Sequence, residues 1–131
     1  MRICQMMAAA AMPCVFAMLI FSSSALHAQQ SLSDYKQTFQ VVAEEKGAHC
    51  NNPNSLFLQL KNTGNVPMDV QYAYQHLSGE WETGEIQNVP PGKDTGEKIV
   101  ICQTNGRYKF WARPTEMSGT LKFPGKERLN Q

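Results

Sequence analysis

The 131-residue chain lacks most of the short patterns that assign a function quickly. It has no H-E-x-x-H, phosphate loop, G-x-G-x-x-G or G-x-S-x-G, so the usual marks of zinc proteases, nucleotide-binding proteins and serine hydrolases are missing. Histidine is scarce, at three residues, and His49 and His76 stand 27 positions apart, with no metal-ligand spacing around them. The alternating Asp/Asn pattern of a calcium loop is absent too, and no cofactor is implied. Charged residues make up 18% of the chain and nearly cancel, leaving +1, which gives no reason to expect nucleic acid as a partner. No apolar run reaches the roughly 20 residues that a membrane-spanning helix needs.

The longest uncharged apolar stretch, "MMAAAAMPCVFAMLIF" at 6–21, is 16 residues and follows Met1-Arg2. The small-residue stretch "SSSALHA" comes next. This is the layout of a secretory signal peptide over residues 1–28, with cleavage after Ala28 or Ala25. The expected products are a domain over 29–123 and a C-terminal tail over 124–131. The expected location is the periplasm or the exterior, with no membrane span once the signal is removed. Two cysteines fall in the signal, leaving Cys50 and Cys102. An even pair in a small exported domain predicts one disulfide. Closing a loop of about 50 residues contributes ~4 kcal/mol in the chain-entropy account.

The rest of the chain alternates in the manner of strands. "LFLQLK" (56–61) puts Leu56, Leu58 and Leu60 on one face, and "MDVQYAYQH" (68–76) does the same with Val70, Tyr72 and Tyr74. Between them, "KNTGNVP" supplies turn chemistry. "LSGE" (77–80) reverses the chain before "WETGEI", and "VPPGK" suits a type II turn with Gly92 third. "EKIVICQ" (97–103) and "RYKFWAR" (107–113) flank Asn105-Gly106, a strong hairpin signal. "GTLKF" (119–123) suits a last strand. Residues 32–45 fit either a helix, with Leu32, Tyr35, Phe39 and Val42 on one stripe, or a strand at 37–43. About seven short strands in about 100 residues predict an all-β antiparallel sandwich, with a small open barrel as the alternative.

The succession "LFLQLKNTGNVPMDVQYAY", "VPPGK", "GRYKFWARP" over residues 55–114 resembles bacterial immunoglobulin-like and fibronectin-III-like modules. Trp81 follows Cys50 by 31 residues, too far for the core tryptophan of an antibody domain. The resemblance therefore implies a sandwich without antibody topology. It also implies a protein that binds or spaces other molecules.

Candidate sites follow from the faces of these strands. No catalytic residue is expected. Glu80, Glu82 and Glu85 are the densest carboxylates, and they read as the wet face of a hairpin. Trp81 with Tyr72 or Tyr74 is a candidate platform for a glycan. In "RYKFWAR", Lys109, Trp111 and Arg113 share one face, an aromatic anchor between cations. If 97–103 pairs with 107–113, Ile99 and Ile101 lie beside them on a sheet apolar on both faces, which something must cover. Residues 98–131 hold seven Lys/Arg and two Glu, whereas 29–97 hold four Lys and nine Asp/Glu. The C-terminal third thus offers a basic surface to an acidic partner. The expectation is a non-catalytic exported accessory protein that engages a protein partner through Ile99, Ile101, Lys109, Trp111 and Arg113. An inhibitor or immunity-type protein and a carbohydrate-binding module are the alternatives.

Overall fold

The computed structural model describes residues 31–131. The expected signal peptide, residues 1–28, lies outside them. Among the described residues, six strands form two open antiparallel sheets of three strands each. One sheet holds β1 (Phe39–Lys46), β2 (Leu56–Asn62) and β5 (Ile99–Ile101), in the order β1-β2-β5. The other holds β3 (Met68–Gln75), β4 (Trp81–Val89) and β6 (Tyr108–Pro114), in the order β4-β3-β6. No helix among the described residues is long and apolar enough to cross a membrane.

The alternation read from the sequence becomes the core. Leu56, Leu58 and Leu60 of β2 are buried together with Met68 and Val70 of β3, Ile99 and Ile101 of β5 and Ala112 of β6. Each such large aliphatic side chain contributes about 1.5–3 kcal/mol by leaving water. Tyr72 and Tyr74 lie partly buried against the same cluster. Tyr72 stands opposite Gly84 of β4, and its ring fills the space that a Cβ there would need.

Several sequence expectations change here. Among the described residues there are six strands where about seven were expected: residues 119–123 form turns and irregular backbone. The amides of Thr120 and Leu121 fold back on the Met117 carbonyl, at 3.0 and 2.9 Å, which curls the chain instead of extending it. The Asn105-Gly106 turn makes no hairpin. β5 pairs with β2, whereas β6 pairs with β3, so this turn carries the chain between the sheets. Thr104 and Asn105 both bond the Gln75 carbonyl, by hydroxyl at 2.6 Å and amide at 3.1 Å, and Gly106 supplies φ +92°. These contacts bind the turn to the end of β3 instead of closing it on β5. The ambiguous segment uses both options in series, a 3-10 helix η1 (Leu32–Thr38) and then β1. Residues 125–129 are likewise no free tail. They form the short helix α1 (Gly125–Leu129), and Asn130 after it bonds the Trp81 amide at 2.7 Å and its carbonyl at 3.0 Å.

Two ties hold the connections. Cys50 and Cys102 are bridged, with Cα atoms 5.5 Å apart, joining the β1–β2 loop to the end of β5. That disulfide is compatible with a periplasmic or extracellular site. The knot after β2 is built on Asn62, which is fully buried. Its side-chain NH2 donates to the carbonyls of Val66 and Val89, both at 2.9 Å, and its Oδ1 accepts the Gly64 amide at 2.9 Å. A buried polar side chain with three partners costs little to bury and fixes both ends of the loop. The Pro90–Lys93 turn closes with a 3.1 Å bond and Gly92 at φ +77°, as the "VPPGK" pattern requires.

Candidate binding groove

β6 presents two faces. Tyr108, Phe110 and Ala112 pack toward the core, so Lys109, Trp111 and Arg113 alternate to the outer face. The structure then separates these three residues. Arg113 stands opposite Asp69 on β3 and is 7% exposed. Its Nε donates to Asp69 Oδ2 and its Nη2 to Glu85 Oε1, both at 3.1 Å. Nη1 donates to the Leu121 carbonyl at 2.8 Å, and the guanidinium lies 4.2 Å from the Phe123 ring centre. Asp69 is 1% exposed, and its Oδ1 accepts from the Thr115 hydroxyl at 2.8 Å and the Asn88 amide at 3.0 Å. Arg113 is therefore a clamp under the C-terminal segment, not a binding-surface residue. An arginine with every branch satisfied by carboxylates and a carbonyl has none left for a partner.

Ile99 and Ile101 also leave the expected surface. They are 0% and 8% exposed, inside the core on the opposite sheet. The reason is the pairing: with β5 beside β2, both isoleucines face inward and Val100 faces out. The sheet that was to be apolar on both faces does not form.

Lys109 and Trp111 remain accessible. Lys109 Nζ sits 4.9 Å above the Trp81 ring, and Trp111 is half-buried. A groove of about 800 Å³ opens along Tyr108–Trp111, walled by η1 on one side and by the C-terminal segment on the other. Leu32, Phe110, Trp111 and Pro124 give it apolar surface. Lys36, Lys109, Lys122 and Arg128 line it, and no carboxylate does. A smaller adjoining hollow of about 490 Å³ shares Tyr108 and Lys109 and adds Arg107 and Trp81. Lys36, Lys122 and Arg128 were not singled out in the sequence. The signal that could have found two of them is the basic bias of residues 98–131. Lys36 carries no sequence sign of the groove, because only the fold sets η1 against β6.

The other candidates disperse. Glu82 lies 3.5 Å from Lys126 and 4.0 Å from His76, whereas Glu85 turns to Arg113, so the glutamates form no pair in one cleft. Trp81 is on the outer face, opposite Gln75, whereas Tyr72 and Tyr74 face the core; the three do not form one platform. His49 stacks on Phe57, with ring centres 4.9 Å apart. No group of three or more His, Cys, Asp or Glu among the described residues is placed to hold a metal ion. On the core face, burial together with a hydrogen bond to the Glu44 carboxylate and its charge pushes the Tyr108 phenol up to about 12. Burial alone raises Tyr72, and burial with the Glu82 charge raises Tyr74.

Comparison of the chain with protein-family models, with curated proteins and with solved structures finds no match.

Proposed function

We propose that this is an exported, non-catalytic binding protein that takes a protein partner in the groove between η1, β6 and the C-terminal segment. One observation carries the reading. Four cations converge on an aromatic floor from three separate stretches of chain, with no carboxylate among them. Residues 31–131 hold equal numbers of acidic and basic side chains, 11 each, so this segregation is local. An uncompensated cluster of this sort steers an anionic partner and fixes its register. Half-buried Trp111 and Phe110 supply the apolar contact that charge alone does not.

The apolar stretch at 6–21 and the disulfide support export. The strand order supports the likeness to immunoglobulin-like modules, if β1-β2-β5 stands for strands A-B-E and β4-β3-β6 for C′-C-F. A protein partner fits better than a glycan, because the Trp81 ring is already under Lys109 and no shared aromatic platform exists.

The test is cross-linking in the native compartment with the wild-type chain and with Lys109→Glu/Arg128→Glu. The wild type is expected to capture a discrete partner in a salt-sensitive manner, and the folded double variant to lose it. Capture that ignores both substitutions would refute the groove as the partner site. A partner that proves to be a secreted enzyme, silenced on mixing, would identify an inhibitor acting through the same groove.

A further inference from the structure

β6 is the last strand of its sheet, and the place beside it holds no strand among the described residues. Residues 119–123, expected from the sequence to form a last strand, instead cross the outer face to meet Arg113. The Gln75 amide donates to the Arg107 carbonyl at 3.1 Å, and the Thr115 amide to the Pro67 carbonyl at 3.0 Å. These two bonds bracket β6 and fix its alternation. Odd-numbered residues bond to β3, so Tyr108, Phe110 and Ala112 turn their N–H and C=O groups away from it. Among the described residues, no hydrogen bond reaches the backbone of Tyr108 or Phe110 from that side. Tyr108 and Phe110 are also groove residues. The cation-lined groove and the unpaired strand edge are one place.

Resting on the reading above, we infer that the partner contributes an extended acidic segment, which enters the groove and adds a strand to the β6 edge. Its main chain pairs with Tyr108 and Phe110. Its carboxylates meet Lys36, Lys109, Lys122 and Arg128, and its apolar side chains rest on Trp111 and Leu32. Strand addition supplies affinity through the backbone and leaves specificity to the side chains on either face. An unpaired edge is otherwise a liability that proteins cover or charge. Here lysines around the edge repel a second copy of the same basic surface while admitting an acidic strand.

The probe is a short synthetic peptide that alternates Glu and Val, titrated onto the disulfide-bonded domain and followed by amide NMR and hydrogen exchange. Matched peptides carry Gln for Glu, or N-methyl groups on alternate amides in either of the two phases. Heparin and phosphatidylglycerol vesicles serve as polyanions without a strand. Binding of the acidic peptide is expected to slow exchange at the Tyr108 and Phe110 amides. The Gln peptide and the Lys109→Glu/Arg128→Glu variant should each lose about tenfold in affinity. One phase of N-methylation should abolish binding and the other spare it, since only alternate amides face β6. Failure of the acidic peptide to bind overturns strand addition. So does equal binding of both N-methylated peptides, or stronger binding of heparin or vesicles without protection of Tyr108 and Phe110. If the native partner still depends on Lys109 and Arg128 while these amides stay unprotected, only strand addition falls. If it depends on neither residue, the groove itself falls as the partner site.

Discussion

The two sheets solve the same problem by different means. The β1-β2-β5 sheet is tied by side chains in its loops: a disulfide at one end and Asn62 at the other. Its outer face is sparsely covered, with Phe57 beneath the His49 ring and Val100 38% exposed. The β4-β3-β6 sheet has no covalent tie. Its outer face is held under the C-terminal segment by a buried arginine between two carboxylates. A disulfide acts mainly by restricting the unfolded chain, whereas a buried ion pair acts in the folded state and is costly when half of it is removed. The first sheet is therefore secured against unfolding in general. The second is secured in one particular arrangement, the one that builds the groove.

The largest expected effect tests the second sheet. Arg113→Ala leaves Asp69 buried without its cation and should cost about 3–5 kcal/mol in denaturant unfolding. It should also release the 118–131 segment, read as faster amide exchange there. Arg113→Ala with Asp69→Ala should recover part of that loss, since the pair in place is worth less than either half alone is costly.

Removing the disulfide with Cys50→Ser/Cys102→Ser should cost ~4 kcal/mol but leave the groove intact when folded. Acidic-peptide affinity that falls along with stability would mean that the two sheets are not separable in this way. Asn62→Ala comes next. It loses three hydrogen bonds and strands the buried Val89 carbonyl together with the part-buried Val66 carbonyl and Gly64 amide, a cost of about 2–3 kcal/mol in the same assay.

Alkaline pH should weaken the interface between the sheets. Tyr72, Tyr74 and Tyr108 all have raised folded values, Tyr108 about 12. Above the ordinary tyrosine range near 10, the unfolded chain releases phenolic protons that the folded chain keeps. Stability present below pH 10 should therefore fall as pH rises toward 12. Tyr108→Phe should flatten that slope, and an unchanged slope would remove Tyr108 from the account. The smallest stability effect belongs to Lys109→Glu/Arg128→Glu, within about 0.5 kcal/mol, because both side chains sit on the surface.

The all-β, two-sheet architecture was legible where a strand wears one face inward: β2 and β3 follow the alternation of leucines, valine and tyrosines residue by residue. The Cys50–Cys102 bridge and the Pro90–Lys93 turn were legible from local chemistry. Strand partners were not. Asn105-Gly106 specifies a tight reversal but not which strand it returns to, and here Gln75 decides that from another sheet. Arg113 was misplaced for the same reason. Alternation put it on the outer face correctly, but only the fold shows that Leu121 and Phe123 cover that face. The basic bias of the C-terminal third survived as three groove cations, Lys109, Lys122 and Arg128, whereas Lys36 depends wholly on tertiary placement.

The crossing of the chain between sheets has a kinetic side. β1–β2 and β3–β4 are neighbours in sequence and can pair early. β5 and β6 must each reach back over tens of residues to complete a sheet, and such non-local pairings are slow to form. Cys102 follows Ile101 directly, so docking of β5 on β2 brings its sulfur to the loop that carries Cys50. Docking of the last strand of the first sheet should therefore raise the effective concentration of the two thiols and speed oxidation during refolding, readable by timed alkylation without any optical probe.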